Sequence, residues 1–131
     1  MGRCDMDVSN KWYEELPEQC PPAEAFIPRG FVCYRLCEGE SPSDVDFLSH
    51  RHLTPHKKFS VPECQARAIS VFQNSEDLGG VLKLAAHRHK KIVRITLDSC
   101  DGAAMKTSGS SHYSWWRSAG FEVARAIEDV A

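Results

Sequence analysis

Three polar side chains stand inside otherwise apolar, strand-like runs of this chain: Arg35 in FVCYRL, Ser70 in AISVF and His112 in SSHYSWW. Each residue type can do a definite job. A guanidinium presents five donors in a planar fork that matches phosphate or carboxylate. A serine hydroxyl can give and take hydrogen bonds on a cavity floor. An imidazole titrates near neutrality, so it can orient a ligand or shuttle a proton. Each also has a plain reading: an ion-paired strand arginine, a tolerated small residue, and a histidine packed beside the paired Trp115 and Trp116.

Other constellations are weaker. There is no GxSxG elbow, no Asp at a telling distance from His112 and no phosphate-binding glycine loop, so a Ser-His hydrolase has little support. His50, His52 and His56 lie among Arg51, Lys57 and Lys58, a basic loop offset by Asp44, Asp46 and Glu63. Its sharper use is to bind an anionic ligand or RNA backbone, its plain one a solvated loop. Cys33 and Cys37 are three residues apart, but no second pair completes a zinc set, and no metal is expected.

The elements that position these residues are short. Residues 31–36 read as a strand with Phe31, Cys33 and Arg35 on one face and Val32, Tyr34 and Leu36 on the other. Residues 68–72 form a second strand, with Ala68, Ser70 and Phe72 sharing a face. A helix starts at Asn74-Ser75, with Glu76 and Asp77 in the first turn and Leu78, Val81, Leu82, Ala85 and His89 on one face. His87-Arg88-His89 and neighbouring lysines load its C-terminal end. KIVRITL (91–97) is a third strand, and 103–107 a further short one. A helical turn is expected at 11–16 and another at 63–66. The loop-rich stretch 38–62 is long enough to be functional. DVDFLSH reads as a short strand or turn, and 118–130 has a partly helical period.

At 131 residues the chain fits one domain. The expected fold is α+β, a single small domain with a mixed or mostly antiparallel sheet and a few short helices. A Pro-rich segment, 1–30, is expected to pack on the domain through Trp12, Tyr13 and Phe26, and 31–131 forms the body. The net charge of -2 gives no reason to expect nucleic acid or an anionic membrane as partner. No apolar run spans a bilayer, and residues 1–18 lack the apolar core of a secretory signal. A cytoplasmic location follows, with the six cysteines expected to be reduced.

Element order and these residues together resemble the core of the ADP-ribosyltransferase superfamily, including its poly-ADP-ribose polymerase, RNA 2′-phosphotransferase and RES-domain branches. Tyr34-Arg35 is similar to the family's first motif, where Arg or His holds the NAD ribose or pyrophosphate. Ser70-Val71-Phe72, with the following helix and strand, is similar to the second, beside the nicotinamide. His112, or Glu122, stands at the third, near the reacting ribose, and Asp46-Phe47-Leu48-Ser49 at an intervening loop. The resemblance implies an NAD-dependent enzyme with Arg35, Ser70 and His112 as catalytic residues. Tyr34, Arg35, Ser70, Phe72 and Trp115 would form its cofactor-binding set, Tyr34 or Trp115 stacking on a ring. The family's Glu has no counterpart before the C-terminal segment. The other expectation is a non-catalytic interaction protein, such as a neutralising subunit of a defence or toxin system. It would use the Trp-rich and Pro-rich segments as its surface.

Overall fold

Strand β1 (Phe31–Cys37) forms where aromatic and β-branched residues follow a Gly30 turn. Gly30 adopts φ 77 and donates its N–H to Leu97 O and to Asp98 Oδ1, both at 2.9 Å. The computed structural model describes residues 12–38, 42–82, 90–108 and 111–128. After β1 come a 3-10 turn (Asp44–Phe47), helix α1 (His50–Leu53), helix α2 (Glu63–Ala66) and β2 (Ile69–Phe72). Then follow helix α3 (Ser75–Leu82), β3 (Lys91–Leu97), a 3-10 turn (Ser99–Asp101), β4 (Gly102–Ser108) and β5 (His112–Arg117). A 3-10 turn (Val123–Arg125) and β6 (Ile127–Glu128) close the described chain.

The strands make one six-stranded sheet in the order β4-β5-β2-β1-β3-β6, and every neighbouring pair is antiparallel. With its few short helices this is the expected α+β architecture. The β1–β3 ladder runs the full seven residues, from Phe31↔Leu97 to Cys37↔Lys91. The β1–β2 ladder holds the pair Tyr34↔Phe72 alone. This asymmetry matters for the site.

One face of the sheet carries the core. Cys33, Val93, Ile95, Leu97, Ile69, Val71 and Trp115 are buried there against Phe47 and Phe121. Trp115 and Phe121 meet edge to face at 4.7 Å. Arg117 closes this layer, its guanidinium 3.7 Å from the Tyr13 ring centre and bonded to Phe47 O and Asp44. Gly102, at φ 125, lets β4 start hard against β5, because a Cβ there would lie 1.9 Å from Trp116 O.

The N-terminal segment behaves as strapping. Phe26 exchanges backbone hydrogen bonds with Ala104, covering the β4 edge, and stacks on Phe31 and Tyr113. Trp12 bridges Ser118, and Tyr13 N–H donates to Arg117 O. The described part of 11–16 is therefore a bridge followed by a bend rather than a helical turn, because Trp12 and Tyr13 pair with the end of the sheet. The C-terminal segment also departs from its helical period: β6 adds to the β3 edge, where pairing satisfies its backbone. DVDFLSH gives a 3-10 turn, with Asp46 accepting from Ser43 and Glu38 N–H groups. Residues 87–89, together with Lys83 and Ala85, lie outside the described residues.

The expectation of reduced cysteines is overturned. Cys20 and Cys64 form a disulfide across 44 residues, and Cys100 is disulfide-bonded as well. Spacing along the chain did not foreshadow this, because the strap returns to α2 only in three dimensions. Cys33 and Cys37 are free thiols, buried in the core and each pushed up to about 12 by burial. No helix among the described residues is long and apolar enough to cross a membrane.

Candidate functional site

Residues opposite one another in a ladder point to the same side of the sheet. The pairs Tyr34↔Phe72, Phe72↔His112, Ser70↔Ser114 and Met105↔Ser114 therefore place Tyr34, Ser70, Phe72, His112 and Ser114 on the face away from the core. There Ser70, His112 and Ser114 floor a cleft of about 240 Å³. Gln65 and Ala66 of α2 form one wall, and His50 with the segment 59–61 forms the rim.

The wall and rim are held by specific contacts. The Cys20–Cys64 disulfide ties α2 to the strap, and Trp116 Nε1 donates to Cys64 O at 2.8 Å. Ser49 caps α1 by accepting from His52 N–H, and its own N–H donates to the Glu14 carboxylate at 2.9 Å. That fixes His50 at the cleft mouth. Arg51 lies 4.8 Å from the Phe59 ring centre and donates to both Glu63 oxygens, at 2.8 and 2.9 Å. Phe59 is thereby packed at the rim under a pinned cation.

The three residues singled out from the sequence meet at one strand. His112 Nε2 lies 3.0 Å from Ser70 Oγ. Arg35 Nη1 donates to the carbonyl oxygen of the same Ser70 at 2.6 Å, and its Nε donates to Asp46 O at 2.6 Å. Beyond the Tyr34↔Phe72 pair, Ser70 O is thus satisfied by a side chain of β1. The guanidinium spans the place where the two strands cease to pair. It spends donors on the fold and does not line the cleft.

His112 is held at both ring nitrogens, Nδ1 lying 2.8 Å from Thr107 Oγ1. Its pKa is pulled below the ordinary value, first by burial and then by the neighbouring His50. His50 is pulled down too, by burial first and then by the charges of Arg35 and Lys57. The cleft therefore presents two histidines biased toward the neutral form.

The other expected binding residues fare differently. Phe72 packs its ring edge-to-face on His112 at 5.2 Å, supporting the floor from the side. Tyr34 shares that face but does not line the cleft. Trp115 is a correction: it is fully buried on the opposite, core face, its Nε1 donating to Asp101 O at 2.8 Å, so it cannot stack on a ligand. Strand alternation decides this, since Ser114 and Trp115 must face opposite ways. Glu122 is exposed and lies away from the cleft lining. No group of three or more His, Cys, Asp or Glu suited to a metal ion occurs among the described residues, and Cys33 and Cys37 are sealed in the core.

Sequence reasoning had His50 only as part of a basic loop and missed Phe59, Gln65, Thr107 and Ser114. The length of the 38–62 loop was the one signal pointing to Phe59. No family model, no curated protein and no solved structure matches this chain.

Proposed function

We propose that this chain is an ADP-ribosyltransferase-like, NAD-binding domain. The observation that carries the reading is that β1, β2 and the first residue of β5 bring Arg35 and His112 to the same Ser70, Arg35 at its carbonyl from the core side and His112 at its hydroxyl in the cleft. That is the residue order and strand placement which the family resemblance implies. The cleft volume lies just under the roughly 300–1,000 Å³ of common ligand pockets. It suits the nicotinamide and its ribose, with the rest of the dinucleotide running out past the rim. In this reading His112 orients the ribose, Gln65 offers a second polar contact, and Phe59 replaces Trp115 as the ring available for stacking. Arg35 holds the Ser70 backbone in place. No carboxylate lines the cleft among the described residues. A cationic sugar would rely on dipoles here, and slow turnover is expected.

For the interaction-protein alternative, Trp115 and Trp116 are both buried and offer no surface, while Tyr13, Phe26 and Ile27 of the Pro-rich strap are exposed. The disulfides favour work in an oxidising compartment over the cytoplasm.

The test is an NAD titration by isothermal calorimetry on the oxidised protein and on His112→Ala, with nicotinamide release assayed in the same samples. Saturable binding, weakened tenfold or more by the substitution, is the expected result. Absence of heat with the unmodified protein overturns the reading.

A further inference from the structure

Strand β4 contains a bulge. Lys106 pairs with Tyr113 and Ser108 with His112, leaving Thr107 as an extra residue between them. Bulges re-aim side chains. This one brings Thr107 Oγ1 to 2.8 Å from His112 Nδ1, while the buried Ser114 donates its hydroxyl to the same Thr107 oxygen at 3.1 Å. On the far side of the ring, Nε2 lies 3.0 Å from Ser70 Oγ.

Proton counting allows the row two directions, and Ser114 acting as donor to Thr107 selects one of them. Each hydroxyl has one proton to give. Ser114 gives its own to Thr107, so the Thr107 proton goes to His112 Nδ1. A neutral imidazole carries a single ring proton, which then sits on Nε2 and is donated to Ser70 Oγ. The Ser70 proton is left over, at the floor of the cleft.

We propose that Ser114, Thr107, His112 and Ser70 form one directed chain of hydrogen bonds that delivers a donor to the cleft floor, so that its inner end takes the carbonyl oxygen of a neutral ligand. The identity of that carbonyl, the carboxamide of nicotinamide, rests on the NAD-binding reading above. The direction of the chain does not. Thr107 is a positioning residue: it touches no ligand and acts by fixing the His112 tautomer.

The experiment is side-chain 15N NMR of the histidines in the intact, oxidised protein near neutral pH. The expected result is a protonated Nε2 and a bare Nδ1 for His112. The opposite tautomer overturns the proposal, since Ser70 would then give its proton to the ring. Thr107→Val, nearly isosteric, should mix the two tautomers and weaken nicotinamide binding roughly fivefold. Thr107→Ser should restore both. An unchanged tautomer in Thr107→Val refutes the positioning role. The expected tautomer together with no nicotinamide binding upholds the chain and refutes the NAD reading alone.

Discussion

Arg35 joins elements that the sheet itself leaves apart, and its removal can be costed. Its Nε and Nη1 each donate at 2.6 Å to a backbone carbonyl, one on the Asp44–Phe47 turn and one on β2. A hydrogen bond from a charged donor contributes about 1.5–3 kcal/mol. The site is only partly buried, which favours the low end, so losing both costs about 3 kcal/mol. Arg35→Met is the clean perturbation, because it keeps an apolar stem of similar length and removes only the donors. With a urea dependence of about 2 kcal/mol/M, the unfolding midpoint should fall by about 1.5 M. That is a fraction of the roughly 5–15 kcal/mol that holds a domain together, so the variant stays folded. Arg35→Lys should lose about half as much, since one ammonium can serve one of the two carbonyls well. The assay is urea unfolding followed by tryptophan fluorescence under non-reducing conditions. A shift of less than about 0.5 M for Arg35→Met, or none for Arg35→Lys, would refute the bridging role.

Two further outcomes follow from the same geometry. Both His50 and His112 have folded pKa values below their unfolded ones, so the unfolded chain takes up protons first as pH falls below about 6.5. Their contribution to stability is fully present above that pH and is lost as pH drops through the depressed folded values. The melting temperature should therefore fall on acidification from neutral pH, and less steeply in His112→Gln; equal slopes in the two proteins would contradict the assignment. The Cys20–Cys64 link closes a 44-residue separation, worth roughly 4 kcal/mol of chain entropy. Cys20→Ser/Cys64→Ser should lower the urea midpoint accordingly, and an unchanged midpoint would show that the crosslink does not restrain the unfolded chain.

Much of the scaffold is dictated locally. KIVRITL alternates with period two and pairs in full with FVCYRLC, so both strands and their buried faces could be read from hydrophobic pattern alone. The start of α3 was legible because Ser75, Glu76 and Asp77 carry the polar and acidic signature of a helix N-terminus. Alternation also placed Ser70 with Phe72 and opposite Val71. Tertiary structure alone decided the rest. The disulfide partners lie 44 residues apart, and sequence spacing carries no information about a strap that folds back. Thr107 meets His112 because of a bulge, which a one-dimensional pattern does not encode. The C-terminal segment kept a weak helical period but became a 3-10 turn and an edge strand, because the open backbone of β3 offered hydrogen bonds that a short isolated helix could not match. Residue types and period fix which side of a strand faces water. Which strands adjoin, and so that Ser70, His112 and Ser114 share one cleft floor, is set by long-range pairing that no local segment specifies.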